Sequence, residues 1–331
     1  MAGFPGNILT SLPTWLVHSD WGSSPAKRQA IKAELQPDGS YLASLPSPVS
    51  HPRQFISDLR NFTPPESSLL IGFDFPIGIP HGYAQKLGVV SFLAFLEDLT
   101  QSKWQSFFSP AETADQISLR RPFYPARPGS SRQDHLVAGL NFSTFDDLRR
   151  RCERASFKRR AACPLFWTLG SQQVGKAALS GWRDVIIPVL LSSGIRGKLW
   201  PFHGSLDNLI TPGATIIAET YPAQYYDSIG LKFGSRLGGK RAHPARKFNA
   251  PSLLNACQNI SLHLDSSLTI AVQDGFGPLP AGEDRFDSLV GLIGMLMVLR
   301  GLLPSNPPND PMINQIEGWI LGMPVPEYGI E

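Results

Sequence analysis

Apolar residues gather along this chain in two ways. Short unbroken runs, Trp15-Leu16-Val17, Leu69-Leu70-Ile71-Gly72-Phe73 and Ala214-Thr215-Ile216-Ile217-Ala218, read as buried strands, and an acid follows each of them: Asp20, Asp74 and Glu219. Between the first two runs, Gln29–Leu35 and Ser40–Leu45 flank Pro37-Asp38-Gly39, where proline presets a turn and glycine supplies positive φ. The spacing predicts a meander of three strands. Helical periodicity marks Pro52–Phe62, Tyr83–Leu99, Phe145–Ala162 and Trp182–Ser192, and a last helix from Ala281 to Leu302 with Phe286, Val290, Ile293 and Met297 in one stripe. A strand reached through a helix lies parallel to an earlier one by a right-handed crossover, which brings Asp20 and Asp74 to the same edge of the sheet.

These elements make an α/β protein with a mixed sheet, a three-strand meander plus parallel strands, flanked by helices. The core is expected over 10–80 and 213–303, a large, mostly helical insertion or cap over 81–212, and a C-terminal tail packing on the core over 304–331. No internal repeat interrupts this order. A hydrophobic fraction of 42% against 17% charged residues excludes a disordered or coiled-coil chain. The net charge of +3 permits an anionic substrate without demanding one.

Cys152, Cys163 and Cys257 are odd in number and lack C-x-x-C spacing, as expected of reduced thiols in a cytoplasmic protein. Met1–Leu16 has no basic segment followed by an apolar run, and Leu289–Leu299 is too short to span a bilayer, so neither targeting nor a membrane role is expected.

The acids carry the candidate chemistry. Phosphodiester hydrolysis with two metal ions about 3.5–4 Å apart needs several converging carboxylates. Asp20 and Asp74 at strand ends and one acid of the last helix meet that need. Asp284 and Asp287 are one turn apart on the same helical face, and Asp287 adjoins the apolar stripe through Phe286 and Leu289. Taken singly, each acid reads equally as a turn residue or helix cap; their joint occurrence points to a site.

Strand-end Asp20, the run Gly72-Phe73-Asp74-Phe75-Pro76-Ile77-Gly78-Ile79-Pro80, then Glu219-Thr220-Tyr221-Pro222, then Asp284-Arg285-Phe286-Asp287-Ser288-Leu289 resemble, in order, the domain of unknown function 429 family of predicted ribonuclease H-like nucleases. The resemblance implies a ribonuclease H-like fold, a carboxylate site at Asp20, Asp74 and Asp287, and nuclease activity. The expected metal ligands are Asp20, Asp74, Asp287, Asp284 and Glu219, the last with a structural role as its alternative. The expected cofactor is Mg²⁺ or Mn²⁺, and the expected partner a nucleic acid, DNA or RNA.

Other patterns offer rivals. Gly170-Ser171-Gln172-Gln173-Val174-Gly175-Lys176-Ala177 has phosphate-loop spacing, but Ala177 replaces the magnesium-holding hydroxyl; Lys176 keeps a candidate phosphate contact. Asp20-Trp21-Gly22-Ser23-Ser24 resembles the first phosphate motif of actin-like ATPases and sugar kinases, with Gln273-Asp274-Gly275-Phe276-Gly277 as the only candidate second loop. A small-molecule kinase is therefore the alternative reading, and a non-catalytic binding scaffold the second.

Two basic runs read as phosphate-tracking or as solvated faces: Arg149-Arg150-Arg151, Arg154 and Lys158-Arg159-Arg160 on a helix, and Lys232, Arg236, Lys240-Arg241 and Arg246-Lys247 in a glycine-rich loop. Lys240 and Arg241 are the candidate substrate contacts. His81, His203 and His243 lack metal-pair spacing, and no G-x-S-x-G elbow occurs.

Overall fold

The structure, a computed structural model, describes residues 9–22, 24–155, 160–169, 174–234 and 238–325. Its strands are β1 Trp15–Asp20, β2 Gln29–Leu35, β3 Tyr41–Ala43, β4 Ser47–Pro48, β5 Leu69–Phe73, β6 Arg196–Leu199, β7 Ala214–Glu219 and β8 Leu262–Leu264. They form one mixed sheet in the order β6-β7-β5-β1-β2-β3-β8, with β4 paired to β2. The meander β1-β2-β3 is antiparallel, whereas β5 runs parallel to β1, β7 to β5, β6 to β7 and β8 to β3. Every residue of β1, β5 and β7 is buried, as their unbroken apolar runs require.

The crossover from β1 to β5 is the helix Phe55–Phe62, which buries Ile56 and Leu59. It covers one face of the sheet, where Phe55, Trp21 and Phe73 pack as an aromatic cluster with ring centroids 5.3–6.5 Å apart. The helix Ala281–Leu299 covers the opposite face. It is not the one-striped helix of the periodicity: every residue from Phe286 to Leu296 is buried, and only Met297 of the predicted stripe is partly exposed. Gly291 and Gly294 make this close seat. A Cβ on Gly291 would stand 2.1 Å from the His18 ring, and one on Gly294 2.2 Å from the Tyr225 ring.

The chain divides into two compact units. The first holds the described residues of 1–74, 194–306 and 321–324, and so the whole sheet. Residues 194–212, expected in the insertion, belong with it because β6 pairs with β7. The second unit holds the described residues of 75–193, 307–320 and 325. Residues 307–320, expected as a tail on the core, group here; Ile316 accepts the Ile79 N–H. This unit has its own core of Phe92, Phe95, Phe107, Phe123, Phe166 and Trp182.

Three predicted helices of the second unit take another form. Tyr83–Leu99 is two helices, His81–Leu87 and Phe92–Asp98, because Gly88 caps the first at φ 69° and the Ser91 hydroxyl caps the second. Over 145–162, the described residues hold only short 3₁₀ turns at Asp146–Leu148 and Arg151–Glu153. Arg150 explains the break: fully buried, it pairs with Glu153 and donates to the carbonyls of Ile77 and Glu317, which a solvated helix face would forbid. Trp182–Ser192 is instead the end of a longer helical run from Val174 to Leu191, with a π-helical turn at Trp182–Ile186.

Candidate carboxylate site

Register sets the first pair of acids. Ser19 pairs with Phe73 across β1 and β5, so Asp20 and Asp74, the next residue of each chain segment, come level at the strand ends. The Trp21 N–H donates to Asp74 Oδ1 at 2.5 Å, fixing that carboxyl beside β1. Burial, followed by the charges of Asp74 and Asp287, pushes the Asp20 carboxyl well above the usual carboxylate range.

The long helix brings the second pair. Its close approach at Gly291 and the bond from Ser288 Oγ to the Gln29 carbonyl at 3.1 Å seat it against β1 and β2. Asp287, one turn before Gly291, thus meets the strand ends; it is 3% exposed. Asp284, a turn earlier, is partly exposed, and burial raises it to about 6, with Lys27 acting in the opposite sense.

Three partners complete the arrangement: Tyr226, which the sequence did not announce, and Lys240 and Arg246, which it offered only as phosphate-tracking or solvated cations. Tyr226 donates from its hydroxyl to Asp287 Oδ1 at 3.0 Å, held by Phe233, which packs on Phe286. Lys240 donates to Asp287 Oδ2 and stands 3.6 Å from Glu283. Arg246 binds the carbonyls of Lys240, Arg241, Gly275 and Gly277, which fixes the loop that presents Lys240. Burial opposes the Lys240 charge, but Asp287, Asp20 and Glu283 outweigh it and hold the ammonium above its ordinary value. Burial raises Asp287 despite Lys240, since Asp74 adds to the repulsion.

His18 lies beneath this site, fully buried, with Nε2 2.9 Å from Thr220 Oγ1; burial lowers it to about 4, so it is neutral at physiological pH.

No protein-family model, curated protein or solved structure matches this chain.

The other predicted residues fall elsewhere. Glu219 pairs with Phe73, one position short of Asp74, and strand alternation puts it on the face of Ser19 and Phe73, opposite His18 and Thr220. It does not join the four aspartates. Lys240 is a counter-ion of Asp287 rather than a free phosphate contact, while Arg241 stands 3.6 Å from Glu283 with its side chain 76% exposed. Arg246 and Lys247 lie not in a glycine-rich loop but on the helix His243–Asn259, and Arg246 is buried. That helix went unread because Pro251 lies inside it and its apolar positions make no stripe.

Lys176 and Ala177 lie within the helix Val174–Gly181 of the second unit; Gly170–Gln173 lie outside the described residues, as do Ser23, Lys158, Arg159 and Arg236. Gly275 and Gly277 spend their carbonyls on Arg246. His81 and His243 begin helices, and His203 Nδ1 accepts the Leu199 N–H at 3.0 Å.

The donor chemistry suits a hard divalent cation: the acids offer oxygen ligands only, and Asp20 and Asp74 stand level at adjacent strand ends. Among the described residues, no three His, Cys, Asp or Glu side chains already stand in a ligating cluster. Asp287 has both oxygens engaged by Tyr226 and Lys240, so the ammonium takes part of the role a metal would have.

The raised acids make stability depend on pH. The folded chain holds protons on Asp20 and Asp284 more tightly than the unfolded chain, so their contribution is complete below about pH 4 and lost as pH rises, through about 6 for Asp284. In chelator, the unfolding midpoint is expected to fall between pH 5 and pH 8 through these groups. Asp20→Asn should reduce that fall and gain roughly 1 kcal/mol at pH 8, a rise of about 2–4 °C. An identical pH dependence in wild type and variant would show that Asp20 is not the strained acid.

Proposed function

We propose that this protein is a metal-dependent nuclease built on a ribonuclease H-like core. The observation that carries the reading is the placement of Asp20 and Asp74 level at two adjacent strand ends, with the helix that bears Asp284 and Asp287 seated against the same strands. The mixed sheet supports it: in β3-β2-β1-β5-β7 an antiparallel meander is followed by two strands parallel to β1, as the proposed core requires. The sequence resemblance to the domain of unknown function 429 family points the same way.

In this reading Asp20, Asp74 and Asp287 hold Mg²⁺ or Mn²⁺, with Asp284 at the rim. The bound metal supplies positive charge for the phosphoryl oxygens and an acidified water as nucleophile. The chain's own residues do the rest. Trp21 N–H and Tyr226 orient the Asp74 and Asp287 carboxyls, while Lys240 balances their charge until a ligand arrives. Arg241, mostly in solvent, meets the phosphates of a nucleic acid. Free thiols at Cys152, Cys163 and Cys257 accord with a cytoplasmic setting, and no helix among the described residues is long and apolar enough to cross a membrane.

Less supports the kinase alternative, since its candidate second phosphate loop is occupied by Arg246. Thermal unfolding with Mn²⁺ separates the readings. Mn²⁺ at a hundred times its dissociation constant should stabilise wild type by about 2.7 kcal/mol and leave Asp74→Asn nearly unmoved. Equal stabilisation of both proteins would place the metal elsewhere. No shift in either would favour a binding scaffold, and a shift with ATP alone the kinase.

A further inference from the structure

The second unit contains a polar cavity of about 450 Å³, within the size range of small-ligand sites, and cationic side chains dominate its wall. Lys86 comes from the helix His81–Leu87, and Arg149, Arg151 and Arg154 from the turns that replace the predicted helix. Among the described residues two acids line it, and both accept hydrogen bonds from the protein. Glu317, buried, accepts the N–H groups of His81 and Arg151 at 3.0 and 3.2 Å. Asp147 accepts the Thr144 N–H at 2.8 Å.

The frame behind the cations is rigid. Arg150, fully buried against Glu153, locks the segment from which its neighbours extend. Arg149 is fixed by Asp146 and the Ala162 carbonyl, and Arg151 by Asp310 and Glu317. Among the described residues, those contacts engage Nε and Nη1 of each guanidinium and leave Nη2 as a donor to spare. Lys86 has its ammonium 4.9 Å from the centre of the Phe142 ring and no acid beside it among the described residues. A preorganised set of guanidinium forks and an ammonium, in a polar rather than apolar cavity, matches the geometry of phosphate oxygens.

We infer that this cavity is a phosphate-binding site, independent of the carboxylate chemistry, for the phosphate of a nucleotide or of a nucleic-acid strand. The basic run of the sequence is thereby divided by function: Arg150 supports the fold, while Arg149, Arg151 and Arg154 present charge to the cavity.

The test is calorimetric titration in chelator, with adenosine 5′-monophosphate and with a single-stranded oligothymidylate as probes. Wild type is compared with K86E/R154E, whose two positions are exposed and whose fold is checked by circular dichroism. Lys86→Gln serves as the milder variant should the double one not fold. The double reversal should weaken binding at low salt by about tenfold or more, and Lys86→Gln by about threefold. Chelator removes any metal from the carboxylate site, so failure of the nuclease reading would leave this result standing. A response to the mononucleotide assigns the site to free phosphate esters, and a response to the oligonucleotide alone to strand phosphates. Absence of binding by either probe, or equal binding by wild type and the charge-altered variants, overturns the inference.

Discussion

If the protein is the metal-dependent nuclease proposed above, Asp74→Asn should retain the fold and lose that activity by about a hundredfold or more. Variants that disturb groups merely supporting metal ligands lose about 10–100-fold, and the proposal makes Asp74 a ligand itself. The substitution suits the test because asparagine keeps an Oδ1 to accept the Trp21 N–H, now at 2.5 Å from the carboxylate. It removes only the charge. That charge is also one of the causes raising Asp20, so its loss should leave the metal-free midpoint unchanged or slightly higher. Activity on single- and double-stranded DNA and RNA with Mg²⁺ and Mn²⁺ is the measurement, with midpoint as the control for folding. Undiminished cleavage by Asp74→Asn would remove the strand-end carboxylates from the mechanism. A variant that unfolds would be replaced by Asp74→Glu, which keeps the charge but moves it, and which should fail in cleavage while still binding Mn²⁺.

Replacing Gly291 by alanine should destabilise the first unit by about 3 kcal/mol, the upper end of the usual cost of overpacking. At an exposed helical position the same change would be favourable by about 1 kcal/mol, since alanine is the better helix former. Here the new methyl would stand 2.1 Å from Nε2 of His18. That ring cannot yield easily: it is fully buried, and its Nε2 is bonded to Thr220. Either the helix retreats or the ring turns and loses its partner.

Retreat would also carry Asp287, one helical turn away, from Asp20 and Asp74, so Mn²⁺ stabilisation should decline together with the midpoint. Denaturant unfolding of Gly291→Ala in the wild-type and His18→Ala backgrounds resolves the cause. The cost should shrink sharply once the ring is absent, which is the coupling a double-mutant cycle measures. A neutral or stabilising Gly291→Ala would mean that the helix does not approach the sheet this closely.

Much of the site was legible because its positions follow from strand periodicity. The runs ending at Asp20 and Asp74 are apolar on both faces, which only a central parallel pair tolerates, and the helix between them imposes the crossover. Asp287 was legible from its place beside Phe286 and Leu289, both of which are fully buried. Glu219 shows where a local pattern stops being informative. It too ends an apolar strand, but register sets it one residue short of Asp74 and alternation turns it to the other face.

The sequence by itself determined five strands of the sheet, β1, β2, β3, β5 and β7, that Asp20 and Asp74 share an edge, and that a long helix follows late in the chain, whereas β4, β6 and β8 and the burial of that helix all round went unread. Those features rest on short-range periodicity, and burial on both faces leaves few alternatives. Only the tertiary structure decided the identity of the partners. Tyr226 lies 61 positions from Asp287 and carries no local signature, and Lys240 lies 47 from it in a basic run that gave no sign of an acid as its partner. Arg150 and Arg246 looked like surface cations within basic runs, yet both are buried and bind backbone carbonyls. A charged side chain goes inside only where several acceptors converge on it. Such convergence comes from segments distant in sequence, which the folded chain alone brings together.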